Sequence, residues 1–444
     1  MFIKNIVHFS PARLVLFLSL VPIAIGTLFL SFSFSQEQHV SLLDCLFMAT
    51  SATCICGLNT VPWTAFSSVG KMIILTLIQV GGLGLVTLSL FIMSFFMQFG
   101  FSTQLMAGKL LDLDSWKNLR SITLFIITLT VLAEGIGSLV NFITFRHLYP
   151  LGTALFLAVF HAVSTFCHAG ITLFDYSMVG FGNQYLILLS NALLMAISGI
   201  GFITWYDIYQ SWLERHEEGR YHFSLQTKIV ISLSFALLLM STGLFYILEQ
   251  HNTLASYSLF GKICNALFNG IGMRGTGLCT VPTEHLQLAT LLIMMLMAFI
   301  GSAPGSSGSG IKVTTVALLI ATIRAAIRGT TSPSIMGRSI SKDQMLKAVA
   351  IPILAVAWVI IITFCLLITE TGFSFLDILF ESVSAFATLG LSTGMTPYLS
   401  KMGKFFIILN MIIGRIGALG LVLAILKRQN KQEFAYPEER VILG

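Results

Sequence analysis

Four segments of this chain end on a glycine approached by small and hydroxyl-bearing residues. They are Ala52-Thr53-Cys54-Ile55-Cys56-Gly57, Ser164-Thr165-Phe166-Cys167-His168-Ala169-Gly170, Met273-Arg274-Gly275-Thr276-Gly277 and Ala385-Phe386-Ala387-Thr388-Leu389-Gly390. The glycines follow one another at intervals of 113, 107 and 113 residues. Each lies just after a short apolar helix candidate and between two longer apolar runs. The chain therefore reads as four units of one design, and four such loops around one axis would each supply a quarter of a pore.

Composition agrees. Hydrophobic residues make up 56% of the chain and charged residues 10%, whereas soluble domains carry about 25% charged residues. The apolar runs point to one polytopic membrane unit, and the net charge of +6 implies no nucleic-acid partner. Residues 14–34, preceded by Lys4 and Arg13, superficially resemble a signal peptide. They are long enough to span, and the first unit needs them as its first helix, so a retained span is expected. Cys54 and Cys56 lack a partner pair or nearby histidines, which favours packing over a metal site.

Each unit is expected to run long helix, short helix, glycine loop, long helix. In the first (1–110) these fall at 11–34, 41–53, 54–62 and 66–98. The second (111–222) gives 120–147, 151–166, 167–175 and 181–210. The third (223–338) gives 226–250, 256–271, 272–281 and 284–329, the last broken in its middle. The fourth (339–444) gives 344–370, 373–387, 388–397 and 400–427. Only the long runs reach the roughly 20 residues that cross a bilayer. The expected fold is thus all-α and integral to the membrane: eight transmembrane helices and four re-entrant pore loops, in four parallel helix–pore-loop–helix repeats around a central pore. Two spans per repeat keep all four entering from one side, unlike inverted repeats. Of the 25 Lys and Arg, 17 fall in segments on one side, which places both termini in the cytoplasm and the glycine loops outside.

Non-helical backbone at membrane depth is tolerated where protein buries it or water lines it. Glycine lets such a backbone aim carbonyl oxygens at an ion and replace its hydration shell. Gly57, Gly170, Gly277 and Gly390 are the expected filter glycines. The adjacent carbonyl layers come from Ile55 and Cys56, His168 and Ala169, Gly275 and Thr276, and Thr388 and Leu389. The only metal ion expected is K+ at this filter.

Together with Gly81-Gly82-Leu83-Gly84-Leu85-Val86-Thr87-Leu88, the segment Gly301 to Lys312 and Gly414-Arg415-Ile416-Gly417, these glycines carry a resemblance. Across nearly its whole length the chain resembles the Trk/Ktr/HKT superfamily of potassium transporters, and most of all the Ktr membrane subunit. The Trk branch typically carries two extra N-terminal helices, for which there is no room before residue 11. In the superfamily a serine in place of the first filter glycine accompanies sodium permeation, so Gly57 argues for potassium. Two departures stand out. Cys167-His168 replaces the usual Asn-Asn pair, and glycine and threonine are exchanged at Gly275-Thr276. His168 either alters pore charge by titrating near neutral pH or, as the plainer reading, points behind the filter and supports it.

Residues 301–310 consist wholly of Gly, Ser, Ala and Pro. Gly305 and Gly310 lead into Ile311-Lys312, which fails the spacing of a phosphate-binding loop. The better reading is an unwound segment beneath the filter, and the resemblance makes it an intramembrane gating loop, with Gly305, Gly308, Gly310, Lys312 and Arg415 as gating residues. Arg415 falls midway along the last span, where an ionised side chain is costly without water or a partner. It is read as a charge barrier, with a structural salt bridge to Glu134 or another buried carboxylate as the alternative. Lys312 is expected to reach the cytoplasmic interface by snorkelling. Asp44, Asp377 and Glu381 lie at or within short helices and either support the filter, raise cation concentration at its mouth or, for the two aspartates, cap a helix.

No nucleophile–base set, metal cluster or nucleotide fingerprint appears, so no enzyme activity and no cofactor within the chain are expected. The function expected is potassium uptake by a multi-pass protein of a bacterial plasma membrane. The resemblance further implies a homodimer and a cytosolic RCK-type nucleotide-binding regulatory subunit, beside potassium ion and membrane lipid as partners. Rival readings are a sodium-permeable or weakly selective relative, and a secondary active solute transporter.

Overall fold

The computed structural model describes residues 11–83, 119–174, 177–218, 223–330, 333–417 and 420. The first unit comprises α1 (Pro11–Ser31), α2 (Leu42–Thr53) and α3 (Ser68–Gly82). The second comprises α4 (Leu119–Phe145), α5 (Leu151–Phe166), α6 (Tyr185–Ile200) and α7 (Phe202–Glu218). The third comprises α8 (Leu225–Glu249), α9 (Leu259–Gly272), α10 (Leu288–Phe299) and α11 (Val313–Ile327). After a short hairpin, the fourth comprises α12 (Lys342–Thr369), α13 (Phe375–Ala387) and α14 (Lys401–Ile416).

Serines set many of these starts. Ser41, Ser67, Ser224, Ser258, Ser341, Ser374 and Ser400 each accept a hydrogen bond at the N-terminus of the helix that follows. Such a cap satisfies an amide that no helical carbonyl can reach, worth about 1 kcal/mol. Two buried glutamates perform a related task. Glu249, ending α8, accepts from the backbone N–H of Gln287 and the hydroxyl of Thr290 at the start of α10. Glu370, just past α12, accepts from the N–H and hydroxyl of Ser400 at the start of α14. Each ties the first long helix of its unit to the helix after the loop.

The packing closes on itself. The helix after each glycine loop leans on the short helix of the next unit: α3 on α5, α6 on α9, α10 on α13, and α14 back on α2. Polar side chains turn inward, with Asn141, Asn191, Asn265 and Asn410 buried. Large apolar residues such as Leu132, Leu139, Phe235, Ile353 and Phe364 stand exposed. This reverses the arrangement of a soluble protein, and lipid is the solvent that suits it.

Among the described residues three helices are long and apolar enough to cross a membrane: Ser121–Phe145, Leu225–Glu249 and Lys342–Thr369. The second long run is broken between 299 and 313 in the third unit, as expected, and departs from the sequence expectation in the second and fourth units. A continuous helix over 181–210 is replaced by α6 and α7, bent by 85° at Gly201 (φ +90°). Helix α14 stops at Gly417 (φ +86°) instead of continuing to 427. Helix α3 ends at Gly82; the remainder of the run to residue 98, with Gly84 to Leu88, lies outside the described residues, as do Lys4, Lys109, Lys117, Arg220 and the basic residues beyond 426 that entered the topology argument. Of these interruptions the sequence reading anticipated only the one in the third unit. The hairpin, Ser334–Ile335 paired with Arg338–Ser339, was also unforeseen. Its turn residues Met336 and Gly337 both have positive φ, as a type I′ hairpin turn requires.

Candidate functional site

The four glycine loops meet at one place. Build a Cβ on Gly57, and it falls 2.8 Å from the carbonyl oxygen of Ala169 and 3.2 Å from the Cα of Gly390. A Cβ on Gly170 would meet the Thr276 carbonyl, one on Gly277 the Leu389 carbonyl, and one on Gly390 the Cys56 carbonyl. Each glycine thus faces the carbonyl just before the next glycine, and the fourth returns to the first. All four have positive φ, of 98°, 64°, 68° and 82°, where side chains are disfavoured.

The approach to each glycine is shared as well. Two residues earlier stand Ile55, His168, Gly275 and Thr388, all at positive φ. Three of them bear side chains there, a strain that surrounding structure must hold in place. Gly275, at φ +122°, occupies this position without that strain. The exchanged glycine and threonine of the third loop therefore follow a backbone need.

Hydroxyls hold three of the loops. Ser51 Oγ accepts from the N–H of Gly57 at 3.1 Å, and Ser384 Oγ accepts from Gly390 N–H at 3.1 Å while donating to Leu391 O at 2.6 Å. Ser164 Oγ donates to Ile171 O at 2.6 Å. In the third unit Ile271 stands at the corresponding position, and Asn269 replaces the clamp by bonding both the N–H and the hydroxyl of Thr280. The hydroxyl-rich approach to the glycines is the sequence trace of these clamps.

Beneath the loops, residues 300–311 form an irregular segment joined by a parallel bridge between Ile300 and Ile311. Gly305 and Gly310 have φ of +69° and +76°, and a Cβ on Gly308 would strike Ser302. Arg415, in the last turn of α14, donates to Ser307 O at 2.6 Å, to Ser309 Oγ at 3.1 Å and to the carbonyl of Gly81. A salt bridge to Glu134 is therefore not formed. Glu134 instead accepts from Gln79 Nε2 at 3.2 Å, with the Cys167 thiol 3.8 Å away. Hydropathy put both ionisable groups at mid-span, but it could not say which helix faces they share. Lys312 does not snorkel either: its ammonium bends back to Gly308 O at 2.7 Å and closes the irregular segment.

The His168 ring rests between α6 and the irregular segment. Its Nδ1 lies 3.0 Å from Ser198 Oγ and 3.2 Å from Ser307 Oγ, and Ser307 Oγ also donates to Phe166 O. Loop and irregular segment are thereby joined directly. Asp44 does not cap α2 itself: Ser41 accepts from its N–H, and its carboxylate accepts from the Ser41 hydroxyl and pairs with Lys404 at 2.6 Å. Asp377 stands in the same relation to the cap Ser374. Glu381 is fully buried and accepts from Thr396. Cys54 and Cys56 are buried free thiols. Among the described residues no cluster of three or more His, Cys, Asp or Glu could hold a metal.

Known proteins provide an independent comparison. A family model for TrkH, described as "Cation transport protein", matches residues 19–435. The chain belongs to the TrkH cation transport family. It is 34% identical to Ktr system potassium uptake protein B of Vibrio alginolyticus, over 91% of this chain and 89% of that one. It is 31% identical to the potassium/sodium uptake protein NtpJ of Enterococcus hirae, over 98% and 97%. Among solved structures, the potassium transporter TrkH from Vibrio parahaemolyticus matches with a TM-score of 0.74 at 18% identity, covering 93% of this chain and 83% of that one. That structural likeness speaks to the fold of this TrkH-family chain.

Proposed function

We propose that this chain takes up potassium across a bacterial plasma membrane through one central pore, built from four parallel repeats and eight spans with both termini in the cytoplasm. The observation that carries the reading is the closed succession in which each of Gly57, Gly170, Gly277 and Gly390 faces the carbonyl preceding the next. Backbone oxygens held this way can exchange for the hydration shell of an alkali cation. In this reading the carbonyls of Ile55, Cys56, His168, Ala169, Gly275, Thr276, Thr388 and Leu389 line the filter with those of the glycines. The segment 301–310 obstructs the path beneath, and Arg415 adds a positive charge that opposes cations there.

The reading extends to assembly: two copies of the chain, and a cytosolic nucleotide-binding subunit that acts on the 301–310 segment. Potassium uptake proteins of Ktr systems among the relatives support it. A less selective pathway is the second reading, favoured by the likeness to a potassium/sodium uptake protein; Gly57 weighs against it.

The deciding experiment is ion flux into liposomes holding the purified chain, run with and without its cytosolic partner. Potassium and rubidium are expected to enter well ahead of sodium. Equal fluxes would favour the second reading, and strict dependence on a proton gradient would point to secondary active transport.

A further inference from the structure

Between the second and third units a cavity of about 260 Å³ opens beside the glycine loops. Met195, Ala196 and Ile200 of α6 form one wall, and Ile231, Phe235 and Leu238 of α8 the other. Phe235 is 61% exposed and Ile231 41%, so the mouth faces the lipid side. The inner end is different in chemistry, where His168, Arg274 and Ser302 meet.

Both ionisable groups at that end are under-used. The Arg274 guanidinium reaches only the carbonyls of Ser234 and Gly301, each at 3.4 Å, and its Nε has no partner. No carboxylate forms an ion pair with it among the described residues. A buried guanidinium without a counter-charge is costly. The second group is His168, only 4% exposed. The hydroxyls beside its Nδ1 each have a carbonyl to donate to, Leu194 O for Ser198 and Phe166 O for Ser307. Phe166 O also lies 3.4 Å from Nδ1 and can only accept, so these contacts favour the proton on Nδ1 and a lone pair on Nε2. That Nε2 lies 3.6 Å from where a Cβ on Gly199, a cavity-lining residue, would stand.

A guanidinium donor beside an imidazole acceptor, at the end of an apolar slot, complements a carboxyl group on an apolar tail. The volume lies just below the range of about 300–1,000 Å³ typical of drug-sized pockets, which suits one short chain and excludes a two-chain lipid. We propose that this crevice binds a single-chain carboxylic amphiphile, a fatty acid, entering sideways from the bilayer. Its head group engages Arg274 and competes with the Gly301 carbonyl that Arg274 now holds, at the start of the 301–310 segment. Occupancy is thereby coupled to that segment. The coupling rests on the gating reading given above; the binding does not.

The test uses the full chain in phosphatidylcholine liposomes and dodecanoic acid carrying a photoactivatable diazirine near its tail end. Labelling is expected to concentrate on peptides holding Met195, Ile231 and Phe235, and to be displaced by dodecanoic acid but not by dodecanol. Arg274→Gln is expected to weaken labelling about tenfold, in line with the loss of one charge-assisted hydrogen bond. Ala196→Phe, which blocks the slot without touching Arg274, should abolish it. Labelling spread evenly over the lipid-facing helices, no labelling of the crevice, or equal displacement by dodecanol would each overturn the binding site. Rubidium flux in the same liposomes should change at least about twofold with dodecanoic acid, and not in Ala196→Phe. Site-specific labelling with unaltered flux would overturn the coupling alone. Absence of any cation flux would instead count against the transport reading while leaving the labelling result intact.

Discussion

The imidazole of His168 and the hydroxyl of Ser307 lie 3.2 Å apart, although 139 residues separate them in the chain. This contact ties the second glycine loop to the irregular segment beneath it. Ser307 is held from the other side by Arg415 through its carbonyl oxygen, so one serine stands between a loop residue and a cation on the last helix. Ser198 at 3.0 Å fixes the ring further. His168→Ala is expected to loosen the segment and raise rubidium flux roughly two- to tenfold, the range that one net hydrogen bond of about 0.5–1.5 kcal/mol allows. His168→Asn, which keeps a polar group, should change flux less. Flux equal to wild type in a folded His168→Ala protein would show that the link does not restrain the segment.

Gly57 has no room for a side chain and a φ that disfavours one. Gly57→Ser forces the first loop to shift against the Ala169 carbonyl, or to abandon its own conformation. Either change moves carbonyls of two loops at once. Discrimination of potassium over sodium is expected to fall, and strain at such a position is of order 1–3 kcal/mol, enough for roughly a five- to hundredfold loss. Competitive flux of rubidium against sodium in liposomes measures it, and unchanged discrimination would remove Gly57 from the filter.

Arg415 binds Ser307, Ser309 and Gly81 without a carboxylate among them. Neutralising it removes bonds that hold the 301–310 segment and, in the proposed reading, a charge that opposes cations. Arg415→Ala should therefore raise cation flux about tenfold or more, since each hydrogen bond from a charged donor contributes about 1.5–3 kcal/mol and about 1.4 kcal/mol is a factor of ten. A loss of folded protein on size-exclusion chromatography, with no gain of flux in what remains, would assign the residue a structural role only.

Helix boundaries were legible where a chemical group marks them. Ser41, Ser258 and Ser374 cap helices, and the glycine loops end them, so the four short helices fall close to their expected ranges. The breaks at Gly201 and Gly417 were hidden because the apolar run continues through them. Hydropathy measures what solvent a residue prefers, not whether its backbone stays helical. The trace that could have revealed them is the local pairing of Gly199 with Gly201 and of Gly414 with Gly417, the second glycine of each pair standing at positive φ. Partners of buried charges were not legible at all. Gln79 against Glu134 depends on how helix faces meet, which no spacing within one segment encodes, and Gly308 against Lys312 depends on how an irregular segment folds back on itself.

Asp44 and Lys404 join the first unit to the fourth, where the circle of helices closes. Their side chains are 14% and 15% exposed and the contact is 2.6 Å. Burial alone would raise the Asp44 pKa, but the hydrogen bonds from Lys404 and Ser41 outweigh it and hold the carboxyl below its ordinary 3.8. A folded value below the unfolded one means that the contribution to stability is fully present above about pH 4 and is lost as pH falls through the lower folded value. Thermal unfolding of detergent-solubilised protein should therefore show Asp44→Asn costing roughly 1–3 kcal/mol at pH 7. The penalty should shrink towards zero as wild type is acidified below pH 4. Lys404→Gln should give a similar loss, and the double variant less than the sum of the two. Additive losses, or a penalty that persists unchanged in acid, would show that this pair does not hold the closing seam.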